Sequence, residues 1–164
     1  MSHRLFSFPN PVNEVASRVV AAGVVAVGLV AIIGQQPWLS AVLAYGFLAR
    51  VATGPTLSPL GQIATRLVAP RIAAGPRHVP GPPKRFAQGV GLALTGLATL
   101  FFFIWHLDAA TYILLGLLVV AASLESALGY CLGCRIFSVL MRAGVVPPEV
   151  CLACSNLESR GRTV

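Results

Sequence analysis

The chain has 164 residues, of which 56 % are hydrophobic and 10 % are charged, and its mean hydropathy is +0.80. These values exclude an ordinary soluble domain and indicate an integral membrane protein. The 12 Lys and Arg against 5 Asp and Glu are typical of loops that lie against an anionic membrane face, so the lipid bilayer is the expected partner and nucleic acid is not.

Four stretches are long and apolar enough to be read as membrane spans, since a hydrocarbon core of roughly 30 Å needs about 20 helical residues. They are residues 15–34, 37–54, 87–105 and 109–130. Very short connections join the first to the second and the third to the fourth, which predicts two tight helical hairpins. The predicted fold is an all-α four-transmembrane-helix bundle over residues 1–130, with a short cytoplasmic Cys-rich tail over residues 131–164.

The distribution of Lys and Arg predicts the orientation of this bundle. The two hairpin connections contain none, whereas the N-terminus, the 55–86 connection and the tail, with the adjoining span ends, contain all 12. Because cytoplasmic loops are enriched in these residues, both termini are expected to be cytoplasmic. Trp38 and Trp105 are then expected at the outer boundary, where amphipathic rings prefer to lie.

The connection between the second and third spans predicts one short helix and a loop. Ser58 is the expected N-cap, Pro59 lies in the first turn, and the apolar residues that follow recur on one face. This pattern predicts an amphipathic helix lying in the membrane interface. After it, the prolines predict a basic Pro-rich loop up to residue 86, with no helix.

Small residues recur at every fourth position of the third span. They form a smooth stripe on which another helix can approach closely, as lipid-embedded helices require. Packing within the bundle is the favoured interpretation, and a homo-oligomer interface is the second. The stripe consists of Ala87, Gly91, Thr95 and Thr99.

Two ionisable residues fall inside the predicted spans. Glu125 lies more than a turn inside the fourth span and Arg50 about a turn inside the second, both toward the cytoplasmic end. Such charges are costly unless they are paired, so Glu125 is expected to pair with Arg50 or Arg18. The alternative is that Glu125 carries protons near the cysteines, and we rank it below structural pairing.

All four cysteines occur as two Cys-x-x-Cys pairs with sixteen residues between them, namely Cys131 with Cys134 and Cys151 with Cys154. This spacing fits a four-thiolate zinc site that ties the tail to the end of the fourth span. Residues 135–144 between the pairs predict an amphipathic interfacial helix that ends at Gly144.

A second interpretation is redox or sulfur exchange, because a thiolate is a nucleophile and a neighbouring cation lowers its pKa. Arg135 adjoins Cys134, and residues 147–149 are typical of a helix start just before Cys151. Unligated helix-end thiols are the third interpretation, and four cysteines in two pairs make it the poorest.

Four stretches together resemble a known family. "NPVNEVASRVVAAGVVAVG", "GFLARVATGPTLSPLGQIATRLVAPRI", "GPPKRFAQGVGLAL" and "ESALGYCLGCRIF" are similar, in order and spacing, to the bacterial membrane proteins grouped as domain of unknown function 4395. The resemblance implies four membrane helices in the bacterial plasma membrane and a motif Glu-Ser-Ala-x-Gly-x-Cys-x-Gly-Cys. It also implies a genomic setting near thioredoxin-like proteins or sulfurtransferases.

Carried onto this chain, the resemblance assigns family positions to a set of residues in all four stretches. Since the motif contains only the first cysteine pair, it favours redox or sulfur exchange there as the common role. The implied residues are Asn13, Glu14, Arg50, Pro59, Lys84, Arg85, Phe86, Glu125, Ser126, Cys131, Gly133 and Cys134.

Two hypotheses of different classes follow. In the first, Cys131 and Cys134 exchange electrons or sulfane sulfur with a soluble thioredoxin- or rhodanese-like partner, while Glu125 and Arg135 tune the thiols. In the second, the protein is a non-enzymatic membrane scaffold that holds a structural zinc ion. A small transporter subunit ranks third, because the spans carry little pore-lining polarity.

Overall fold

The computed structural model describes residues 12–54, 56–68, 71 and 78–151. Most of these residues are helical. The expected all-α fold is confirmed at this level. In chain order the elements are β1 (Val12–Asn13), α1 (Glu14–Ile33), α2 (Leu39–Thr53), α3 (Pro59–Gln62) continuing as a π-helix (Ile63–Val68), β2 (His78–Val79), α4 (Gly81–Phe103), α5 (Asp108–Leu128), α6 (Leu132–Arg142) and a 3-10 turn (Pro148–Cys151).

Three of the helices, α1, α4 and α5, are long and apolar enough to cross a membrane. Helix α2 is also apolar, but its 15 residues extend only about 22 Å at about 1.5 Å per residue, less than the roughly 30 Å hydrocarbon core. The described residues therefore contain three candidate spans and one shorter apolar helix, where the sequence predicts four spans.

The four long helices pack as a bundle with an apolar centre. Helix α1 lies along α5, α2 lies along α4, and α4 and α5 contact each other. The core contains Val24, Leu43, Phe47, Leu115 and Leu118. Many apolar side chains instead point outward, with Ile113 65 % exposed, which is the pattern expected of helices surrounded by lipid.

The small-residue stripe of α4 is occupied within the chain. Gly91 lies directly against the Phe47 ring of α2. Thr99 Oγ1 lies 3.1 Å from Ser40 Oγ, a hydrogen bond that joins α4 to α2. Ala87, at one end of the stripe, contacts α6. The stripe therefore serves packing inside the bundle, as close helix approach in lipid requires.

The segment after α2 begins with the cap that the sequence predicts. Ser58 Oγ accepts a hydrogen bond from the Gly61 N–H at 3.3 Å, with Pro59 in the first turn. Leu60 packs against Gly23 of α1, whereas Ile63 and Leu67 are about half exposed. The cap is confirmed, and the position of this helix in the membrane interface stays a prediction.

Helix α4 begins at Gly81, six residues before the predicted start of the third span, so the prediction that residues 81–86 are loop is wrong. Pro82 and Pro83 lie in the first helical turn, where proline costs little, because N–H groups there have no partner inside the helix and the fixed φ suits the helix. The extra turn brings Lys84 onto a buried helix face.

The strands connect two helix starts. Val12 pairs with Val79 and Asn13 with His78 in an antiparallel ladder. Asn13 also caps α1, because its Oδ1 accepts from the Val15 N–H at 2.9 Å. The ladder therefore places the start of α1 beside the start of α4, at the end of the bundle that carries the cysteines.

Candidate functional site

A left-handed turn at Gly129 places the first cysteine pair at the end of the bundle. Helix α5 ends there, with Gly129 at φ +68° and its N–H donating to Glu125 O at 3.0 Å. A side chain at this position is disfavoured by the positive φ, and its Cβ would lie 3.3 Å from Glu14 Oε1. The chain then enters α6, with Cys131 as its N-cap residue.

Two contacts dock α6 onto the first turns of α4. A Cβ at Gly133 would lie 2.5 Å from the Ala87 Cβ, so the two helices approach as closely as glycine allows. Phe137 is buried and packs its ring against Phe86, with the ring centroids 5.7 Å apart. These contacts bring the start of α6 next to Lys84, which lies one turn before Gln88 on α4.

Cys131 and Cys134 are free thiols, with Cys131 buried and Cys134 half-buried. The Cys134 thiol donates a hydrogen bond to the Cys131 sulfur, which lowers the pKa of Cys131 and raises the pKa of Cys134. The pair therefore has one sulfur that favours the thiolate and one that keeps its proton.

The charges next to the thiols come from a buried ion pair. Lys84 Nζ lies 2.5 Å from Glu125 Oε1, with side-chain exposures of 8 % and 16 %. The Lys84 cation lowers the pKa of both thiols, and the Glu125 carboxylate raises them. Glu125 does pair, as expected of a charge at this depth, but its partner is Lys84 and not Arg50 or Arg18.

The expected partners of Glu125 have other contacts. Arg18 donates from Nη2 to Ala127 O at 2.8 Å and from Nε to Ser126 O at 3.2 Å, which satisfies carbonyls at the C-terminus of α5. Arg50 is 4 % exposed, and its Nε donates to Gln88 Oε1 at 3.0 Å.

Arg135, which sequence reasoning paired with the thiols, lies over the Tyr130 ring at 5.2 Å from the ring centroid. Its predicted role in tuning Cys134 stays a prediction. Lys84 is the cation whose charge acts on both sulfurs, and the sequence gives it only a family position. Pro82 and Pro83 are also compatible with the first turn of a helix that begins at Gly81. In that reading Lys84 lies on the helix, one turn before Gln88 and on the same face, and this is the sequence signal for its position.

The second cysteine pair is described only in part. Cys151 is 4 % exposed at the end of the 3-10 turn that contacts α4, and its sulfur is in a disulfide bond. Cys154 lies outside the described residues. Within the described ranges no three His, Cys, Asp or Glu residues form a group that could hold a metal ion. A four-cysteine zinc site stays a prediction, and it needs the Cys151 sulfur as a thiolate.

The assembled site has features that thiol exchange requires. A thiol at a helix N-terminus beside a cation has the environment that favours a nucleophilic thiolate, and the second thiol is within hydrogen-bonding distance of it. The described residues that form this site are Lys84, Glu125, Cys131 and Cys134.

Comparison with known proteins identifies a family. The model of the family described as "Domain of unknown function (DUF4395)" matches residues 12–142, which include the bundle and the first cysteine pair. Comparisons with curated proteins and with solved structures found no match.

Proposed function

This chain belongs to the DUF4395 family, and we propose that it is a membrane-embedded dithiol protein that exchanges electrons with a soluble thiol protein. In this proposal Cys131 is the nucleophile and Cys134 is the resolving thiol. A thioredoxin-like protein is the class of partner that fits, because it presents a reactive disulfide to a thiolate.

The observation that carries the proposal is the arrangement of the two free thiols. Cys131 is the N-cap of α6, accepts a hydrogen bond from Cys134 and lies near the Lys84 cation. Each of these features stabilises the thiolate form of Cys131. A structural cysteine in an apolar setting has none of them and is inert.

The proposed reaction has two steps. The Cys131 thiolate attacks a disulfide of the partner, forming a mixed disulfide and releasing one partner sulfur as a thiolate. Cys134 then attacks the Cys131 sulfur, forming the Cys131–Cys134 disulfide and releasing the second partner sulfur, which takes the Cys134 proton. Two electrons pass from the dithiol to the partner disulfide, and a partner dithiol re-reduces the protein by the reverse steps.

Charge distribution supports a cytoplasmic position for the site. The thiols lie at the end of the bundle formed by the start of α4 and the end of α5, where Lys84 and Arg85 also lie. The hairpin connections at the opposite end contain no Lys or Arg. We infer a multi-pass protein of the bacterial plasma membrane with both termini cytoplasmic and α2 as a short fourth pass. Shorter helices cross where the bilayer thins locally.

Trapping of the mixed disulfide tests the proposal. The full chain is purified in detergent with Cys151 and Cys154 both replaced by serine, and it is treated with oxidised glutathione. With both remaining thiols present, the product is the internal disulfide and no bound glutathione. Cys134→Ser stops at one glutathione on Cys131, and Cys131→Ser reacts at least about tenfold more slowly at neutral pH.

Mass spectrometry of the intact chain reads each product, and circular dichroism confirms that each variant is helical. Equal reaction rates for the two single-serine variants would contradict the assignment of Cys131 as nucleophile. A chain that takes up glutathione on both sulfurs without forming the internal disulfide would contradict dithiol exchange itself.

A further inference from the structure

One buried cation at the thiol end of the bundle is short of partners. Arg50 is 4 % exposed, and of its guanidinium nitrogens only Nε donates a described hydrogen bond, to Gln88 Oε1 at 3.0 Å. Nη1 and Nη2 are buried and donate to no group in the part of the chain that the structure describes. A guanidinium has five N–H donors, so four of them are left over.

The aromatic neighbour of the guanidinium accepts no hydrogen bond from its N–H groups. Phe47 lies under the group, with Arg50 Cζ 4.4 Å from the ring centroid. Such stacking engages the flat face and leaves the N–H groups at the edge unbonded. The partly buried Glu125 carboxylate is already paired through Oε1 with Lys84.

Gly46 lies between the guanidinium and the surface of α2. Gly46 lies one turn before Arg50 and is only half-buried. A Cβ at Gly46 would lie 3.9 Å from Arg50 Nη2. The missing side chain therefore leaves only thin cover over the guanidinium at this position, which we call the Gly46 notch. Because Nη2 has almost no surface in contact with solvent, a ligand atom reaches it after a small shift of the Arg50 side chain.

We infer that Arg50, oriented by Gln88, binds a phosphate-type oxoanion through the Gly46 notch. Nη1 and Nη2 form a planar fork that matches two oxygens of one phosphate group, and bidentate pairing of this kind satisfies the donors that the protein leaves unpaired. Arg50 lies one turn from the end of α2 at Thr53. If α2 crosses the bilayer, this end of the helix would lie near the lipid headgroups.

The same chemistry has two sources, a phospholipid headgroup and a free inorganic oxoanion. The full chain is therefore studied in two forms. In nanodiscs of zwitterionic lipid with a minor fraction of phosphatidylglycerol, native mass spectrometry counts the anionic lipid retained per chain. In lipid-stripped detergent solution, inorganic phosphate is titrated while the melting temperature is followed.

Gly46→Leu fills the notch without changing any charge, and its matched control is Gly116→Leu, which adds the same side chain at an open helix position of α5. Arg50→Lys keeps the charge and removes the fork, and its control is Arg66→Lys, at an exposed site on the π-helix. Both sets are measured on the chain with Cys131 and Cys134 intact.

We expect Gly46→Leu and Arg50→Lys each to weaken oxoanion retention by about tenfold or more, while both controls stay close to the wild-type chain. Loss of lipid retention alone identifies a headgroup site, and loss of the phosphate-induced rise in melting temperature alone identifies a free-anion site. Gly46→Leu retaining both responses at wild-type strength would overturn the inference, and so would a wild-type chain that shows neither response. Because glutathione exchange at Cys131 is read separately, either outcome leaves the dithiol proposal to its own test.

Discussion

The buried pair of Lys84 and Glu125 allows a quantitative test of the site's construction. Lys84→Met keeps most of the side-chain volume but leaves the Glu125 carboxylate, only 16 % exposed, without the cation now 2.5 Å away. Removing one partner of a buried pair costs about 3–5 kcal/mol, because the remaining charge stays desolvated. Replacing both partners by apolar groups of similar size is about neutral or stabilising, so Glu125→Leu added to Lys84→Met should recover most of that loss.

The assay is the free energy of unfolding of the full chain in detergent micelles, followed by loss of helical circular dichroism. Arg66→Gln is the matched control, because it removes an exposed positive charge from the same end of the bundle and should change stability by no more than about 0.5 kcal/mol. If the losses from Lys84→Met and Glu125→Leu simply add in the double variant, the two side chains do not interact and the reasoning is refuted.

Three further predictions concern the thiols and their support. Gly129→Ala should destabilise the chain by about 1–2 kcal/mol, because the position has φ +68°, and a melting temperature equal to that of the wild-type chain would contradict this. Gly133→Val should undock α6 from α4 and speed alkylation of the half-buried Cys134; unchanged alkylation kinetics would show that the close contact with Ala87 does not hold α6 in place. The pH dependence of alkylation, read by peptide mass spectrometry, should show Cys131 still reacting below the ordinary thiol pKa of about 8.5, whereas Cys134 reacts only above it. The sign follows because the thiolate is the reactive form and the shared hydrogen bond favours it on Cys131; the reverse order would contradict the assignment.

Metal content distinguishes the dithiol proposal from the zinc hypothesis. Reduced protein purified without chelators is expected to contain well under one zinc ion per chain and to keep Cys131 reactive. About one zinc per chain, with all four thiols protected until a chelator is added, would instead support the four-cysteine site. The Cys151→Ser variant would then lose the zinc ion.

Much of the local structure followed from the sequence because local interactions decide it. The four apolar stretches became helices, Ser58 capped the helix after α2, and Gly144 with φ +74° follows the end of α6. Hydropathy, caps and glycine conformations act over a few residues, so a linear reading detects them. The expectation of a membrane protein followed in the same way from composition, and three helices long and apolar enough to cross a membrane are consistent with it.

The sequence predicts a start of α4 that is six residues too late, and the reason lies in the prolines near that start. Proline disfavours helix interiors and is tolerated in first turns, and the sequence does not say which of these Pro82 occupies until the helix start is known. A loop over residues 81–86 places Lys84 off the helix, so the sequence predicts Arg50 or Arg18 as the partner of Glu125. The six additional helical residues at the start of α4 place Lys84 next to the Glu125 carboxylate.

The sequence by itself determined that this is an apolar, helical chain with helices suited to cross a membrane and a cysteine pair at the end of α5, because composition, periodicity and spacing are properties of the linear chain. The tertiary structure alone decided that Lys84 meets Glu125 across 41 positions, that Gly133 seats α6 against Ala87, and that Arg50 is buried with two unpaired nitrogens. These contacts depend on which faces of α2, α4, α5 and α6 turn toward one another. Helix rotation and docking are set by the packing of the whole bundle, so no short stretch of sequence encodes them.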